Sequence, residues 1–291
     1  MFTGVLDQLM AGLANGAIYA SVALALVVIY TSRGHINFAQ GEMALFSTYL
    51  GWAMISAGAS YWIAFVVTVV VSMAIGALIE RLLIRRVQDQ SMLALIVVFI
   101  GLMILLNSMA GLLFGYETKA MASPFDSAVW NRSTHISAHQ LGMVAVLAPM
   151  LLLVYVFFRF TSLGLRMRAA AQNPISSRLV GVRVGAMLCL GWAMAAGIGA
   201  VAGMMIAPLV YLEPTMMSGI IIYGFAGALL GGISNPWGAV AGGLLLGVIE
   251  TLSGAYLVGT ELRFTVALII IVAVLLLRPN GLFGKNVVAR V

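Results

Sequence analysis

Three times in this chain a basic stretch closes a long apolar run: Arg81, Arg85 and Arg86, then Arg159 through Arg183, then Arg278 onward. Basic loops of this kind are retained on the cytoplasmic side of a bilayer, so their spacing fixes a topology before any element is drawn. Hydrophobic residues make up 63% of the 291 and charged residues 8%, so most of the chain could not be solvated as a water-soluble globule. The expected fold class is an all-α integral membrane protein, a polytopic helical bundle.

A spanning helix needs roughly 20 mostly apolar residues. Nine segments qualify: Leu9–Tyr30, Ile36–Ser56, Trp62–Ile79, Met92–Phe114, Leu141–Phe158, Met187–Val210, Met217–Gly232, Ala239–Tyr256 and Phe264–Leu277. With the N-terminus outside, Arg33, Arg81, Arg85, Arg86, Arg159, Arg166, Arg168, Arg178, Arg183, Arg278, Lys285 and Arg290 fall on the cytoplasmic side. Only Lys119, Arg132 and Arg263 fall outside, the bias that the positive-inside rule requires. Ile36–Ser56 begins with polar residues and Met217–Gly232 is short and glycine-rich; if either is re-entrant, the count falls to eight. The N-terminus has no Lys or Arg before Arg33, so the first span is expected to persist in the mature protein.

Small residues show where helices come close, because lipid gives little hydrophobic drive for helix association. Gly191, Ala195, Gly199 and Gly203 recur at every fourth position, and Gly227/Gly231, Gly238/Gly242, Gly243/Gly247 and Gly12/Gly16/Ala20 repeat the pattern. These stripes predict a compact bundle with close backbone seams. The net charge of +6 could suggest nucleic acid, but the basic residues sit in loops abutting membrane helices, where orientation explains them. The single cysteine, Cys189, excludes an intrachain disulfide.

The most informative loop is Thr161–Val184, TSLGLRMRAAAQNPISSRLVGVRV. Asn173 caps and Pro174 suits the first position of a helix, and Gly181 is placed to end it in a left-handed conformation. Between them Ile175, Leu179 and Val180 form an apolar ridge, with Ser176, Ser177 and Arg178 facing elsewhere. Such a short amphipathic helix either lies on lipid headgroups or docks in a groove of a soluble partner.

This loop resembles the coupling segment of ABC importer permeases of the branched-chain amino acid (LivH-like) family. GHINFAQGE at 34–42, IERLLIRRV at 79–87, FAGALLGGISNPWGAVAGGLLLGVIETL at 225–252 and RPNGLFG at 278–284 are also similar to that family, and in its order. The resemblance implies one permease domain over residues 1–291, with 161–184 as its cytoplasmic coupling loop. Asn173, Pro174, Ile175, Arg178, Leu179, Val180 and Gly181 would then contact the motor. It further implies a multi-pass protein of the bacterial inner membrane, paired with a second related permease, two cytoplasmic ATPase subunits and a periplasmic binding protein. Branched-chain amino acids or related small polar solutes are the implied cargo. ATP and magnesium would belong to the ATPase subunits, with no cofactor in this chain. The residues agree, since a phosphate-cradling G-x-x-x-x-G-K-S/T loop needs a lysine, and neither Lys119 nor Lys285 has that context. Three positions depart from the family pattern: Gln40 where many members have His, Tyr223 where they have Lys, and Gly224 in place of alanine.

Asn37, Gln40 and Glu42 lie close together at the start of the second span. A carboxylate at membrane depth faces protein or a water-filled cavity, so they could line or gate a substrate path together with Tyr223, Gly227 and Gly231 of the glycine-rich span. The plainer reading makes Asn37 a helix cap and pairs Glu42 with Arg33. Asn15 and Asn107 read as interhelical hydrogen-bonders, and Glu250 could pair with Arg263. His135 and His139 have i,i+4 spacing but sit in a polar loop without a nearby carboxylate, so no metal is expected there. The competing function is a self-contained ion-coupled secondary transporter built on Glu42 and Glu250. An intramembrane enzyme lacks any supporting motif.

Overall fold

The computed structural model describes residues 2–33, 35–87, 90–125 and 137–284. Helices account for nearly all regular structure: α1 (Phe2–Arg33), α2 (Gln40–Ser56), α3 (Tyr61–Ile79), α4 (Met92–Phe114), α5 (Ala138–Phe160), α6 (Ser162–Gln172), α7 (Pro174–Leu179), α8 (Val184–Val210), α9 (Met216–Gly231), α10 (Pro236–Tyr256) and α11 (Arg263–Leu277). Among the described residues, seven helical stretches are long and apolar enough to cross a bilayer: 4–31, 61–87, 92–114, 138–160, 184–210, 236–256 and 260–277. The remaining two expected crossings are the shorter helices α2 and α9, of 17 and 16 residues. Both were the weakest spans in the sequence. The second starts later than expected, at Gln40, because Asn37 turns the chain: its Oδ1 accepts the Ala39 N–H at 3.1 Å.

The chain divides into two compact units. One comprises Met1–Val27, Pro124–Ala148 and Gly219–Val291. Its centre is a three-helix seam made possible by the small-residue stripes. A Cβ on Gly16 would lie 2.9 Å from Leu244 Cα, and one on Gly227 would lie 2.7 Å from Gly243 Cα, so α1 and α9 both press on the backbone of α10. Ala23, Val27, Ala228 and Ala239 fill the contact. The RPNGLFG segment closes this unit, because Leu282 and Phe283 donate backbone bonds to the carbonyls of Leu230 and Gly231 at the end of α9. Asn235, which caps α10 by accepting the Trp237 N–H, also donates to the Phe283 carbonyl at 3.0 Å.

The second unit comprises Val28–Ser123 and Pro149–Ser218. Its axis is α8, which packs along α2 and α3. The Gly199–Gly203 stripe faces α2, where Ala44 approaches, while Gly76 of α3 faces the Trp192 carbonyl of α8. The helix of α3 runs on through a π-helical turn, Glu80–Ile84, and a last short turn, Arg85–Val87. A π turn widens the helix and leaves carbonyls free for other partners, often at functional positions.

Candidate functional site

Three groups of residues carry the chemistry, two in the second unit and one in the first. At one end of the second unit, α6 and α7 form the expected loop structure. Asn173 Oδ1 accepts the Ser176 N–H at 2.9 Å, Pro174 opens α7, and Gly181 ends it at φ +82, a backbone that only glycine adopts without strain. Met167, Ala170, Val184 and Leu188 bury the base of the loop against α8. The ridge is left bare: Ile175, Leu179 and Val180 are 75%, 84% and 78% exposed. Ser177, facing away from the ridge as expected, is buried, and its N–H and carbonyl make the turn bonds to the Asn173 carbonyl and the Val182 N–H.

Beneath this loop lies a device that sequence reasoning counted only as positive charge. Arg85 grips Glu80 with both ends of its guanidinium, Nε to Oε1 at 3.1 Å and Nη2 to Oε2 at 2.6 Å, and Nη2 also donates to the Gly185 carbonyl at 2.8 Å. Glu80 is fully buried and sits in the π turn, so the pair ties the end of α3 to the first turn of α8, next to the α6–α7 loop. Residues five apart do not face each other on an ordinary α-helix as i,i+4 partners do, and it is the π turn that brings Glu80 and Arg85 together.

The second group surrounds the start of α2. Asn37, Gln40 and Glu42 are all buried. Gln40 Nε2 donates to the Ala195 carbonyl of α8 at 2.9 Å, in the space that Gly199 leaves open. Glu42 does find a side-chain amide: Asn107 Nδ2 donates to its Oε2 at 3.0 Å and to the Pro214 carbonyl at 2.8 Å. Asn107 is therefore an interhelical hydrogen-bonder, as expected. The side chain of Arg33, the partner expected for Glu42, lies outside the described residues, as does His135. His139 is buried against Phe125, with ring centroids 6.1 Å apart.

The third group belongs to the first unit and joins α1, α9, α10 and α11. Glu250 is buried and pairs with Arg263, Oε1 to Nε at 3.6 Å, as the sequence suggested. Tyr19 and Thr251 donate hydroxyl bonds to Glu250 Oε2 at 3.5 and 3.4 Å, and Asn15 donates to Thr251 at 3.5 Å. Tyr223 stacks on Tyr19 at 4.7 Å and meets Phe264 edge-on at 6.0 Å. Gly227 and Gly231, expected beside Tyr223 on a path, instead press on Gly243 and Gly238 of α10.

The family model for the permease component of the branched-chain amino acid transport system matches residues 8–275. The chain belongs to this family. It is 30% identical to the high-affinity branched-chain amino acid transport system permease protein LivH of Escherichia coli K12, over all of this chain and 99% of that protein. The permease protein BraD of Pseudomonas aeruginosa is 29% identical, with 98% of each chain covered. A probable branched-chain amino acid transport permease LivH of Methanocaldococcus jannaschii is 24% identical over 91% of this chain and 88% of its own. A solved chain described as PsaBC from Streptococcus pneumoniae in complex with Fab shares the fold, with a TM-score of 0.53 at 12% identity over 96% of this chain and 97% of that one. This permease is thus a multi-pass transport subunit rather than an enzyme, and the reading as a self-contained carrier gives way to it.

Proposed function

We propose that this permease carries branched-chain amino acids across the bacterial inner membrane as half of the channel of an ABC importer. The substrate is the one named for its relatives. A second permease, two ATPase subunits that hold ATP and magnesium, and a periplasmic binding protein complete the machine. The chain crosses nine times with its N-terminus outside, α2 and α9 being the short crossings, so that α6 and α7 face the cytoplasm. Asn37, Gln40, Glu42 and Tyr223 belong to the substrate path, and Asn173 to Gly181 to the ATPase contact.

One observation carries the motor assignment. Ile175, Leu179 and Val180 stand bare on a helix whose fold is otherwise fully satisfied, capped at both ends and buried at its base. A large apolar ridge on a rigid support in water calls for a partner, and truncating such a contact commonly costs about 2 kcal/mol or more at an interface. Leu179→Arg should abolish leucine uptake and release the ATPase during purification, while the permease still inserts. Normal uptake with the ATPase retained would make α7 a lipid-surface element instead.

A further inference from the structure

Arg263 is the first residue of α11, where a basic side chain would ordinarily reach outward to water. It does the opposite. Its stem lies across Gly254, where a Cβ would come within 3.0 Å of its Cδ, and its Nε sits 3.6 Å from Glu250, buried and without a hydrogen-bond partner among the described residues. Glu250 is six residues from the end of α10, Tyr256, which is about 9 Å down that helix. The guanidinium is therefore drawn inward along α10. Its side chain still keeps 29% of its surface exposed, and a charge at that depth faces water rather than hydrocarbon. Beside it stands an aromatic wall of Tyr223, half-buried on the Tyr19 ring, and Phe264.

We propose that Arg263, Tyr223 and Phe264 form a transient binding station for the α-carboxylate and apolar side chain of the cargo, with Glu250 and Tyr19 as positioning residues. The proposal rests on the amino-acid cargo inferred above. Glu250 holds the guanidinium loosely, at 3.6 Å rather than in a tight two-pronged bridge, so an incoming carboxylate can engage it without first displacing a strong internal partner. Tyr223 and Phe264 offer ring surface to an aliphatic side chain. Gly254 keeps the route of the Arg263 stem open.

The test uses the complete transporter in liposomes, with its binding protein saturated with leucine, and reads both uptake and ATP hydrolysis. If the wild-type complex does not take up leucine, the cargo assignment fails, and this inference falls with it. If it does, Arg263→Gln should lower leucine moved per ATP hydrolysed by about tenfold, as expected for loss of a charge-assisted bond, while stimulated ATP hydrolysis stays near normal. The double variant E250Q/R263Q, which leaves no unpaired buried charge, should remain as defective as Arg263→Gln. Recovery of uptake in the double variant, or a parallel loss of ATP hydrolysis in the single one, would make the pair a structural brace and overturn the proposal. Unchanged uptake by Arg263→Gln would overturn it as well.

Discussion

Asn107 shows how much rests on a single amide in this membrane domain. Its Nδ2 holds both the buried Glu42 carboxylate and the Pro214 carbonyl, so Asn107→Leu would strip two acceptors of their donor at once. The expected cost is about 1–3 kcal/mol, visible as a lower melting temperature of the detergent-solubilised protein. An unaltered melting curve would mean that Glu42 is held by something else. Gly227 makes a different point. The sequence placed it on the substrate path, where a bulky residue should block passage and spare assembly. In the fold its missing side chain is occupied by α10, so Gly227→Leu should first part α9 from α10, at about 1–3 kcal/mol for overpacking. Loss of monodisperse protein on size-exclusion chromatography is the expected result, and well-folded but transport-dead protein would restore the path reading.

At the scale of elements, the tie from Glu80 through Arg85 to Gly185 links the end of α3 to the helix that leaves the coupling loop. Arg85 is 37% exposed, so solvent screening limits the stability at stake to about 1 kcal/mol. If α7 is the proposed ATPase contact, the consequence for coupling is larger than for folding, because such a helix transmits force only where the base of its loop does not yield. Glu80→Gln should therefore keep the protein folded and the ATPase bound, yet reduce the amount of amino acid moved per ATP. A transport-to-hydrolysis ratio equal to wild type would show that the tie is only a brace. Asn173 acts on the same loop through its cap, and Asn173→Ala should cost about 1 kcal/mol of helix stability, read as faster limited proteolysis between Gln172 and Val182.

The whole molecule depends on orientation, which the distribution of basic residues argues and a labelling experiment can decide. In a Cys189→Ser background, a cysteine at Ala120, beyond α4, should react with an impermeant thiol reagent from the periplasm, and one at Ser176 only after the membrane is opened. Both positions are exposed, so burial will not mask the answer. Labelling of both from the periplasm would break the nine-crossing topology, and labelling of Ser176 alone would reverse it.

Composition and the run lengths were enough to determine an all-helical membrane chain, because hydrocarbon leaves the backbone no partner but itself. The loop Asn173–Gly181 was also legible, since a cap, a proline and a terminal glycine act within one local turn. Partners were not. That Gly16 and Gly227 serve α10, that Glu42 meets Asn107 and that Arg85 reaches the Gly185 carbonyl all depend on which helices lie side by side. Small-residue stripes announce that a seam exists but look alike from either side. Only the packed bundle chooses among them, because close approach is a property of two backbones, and the sequence of one helix describes only its own half.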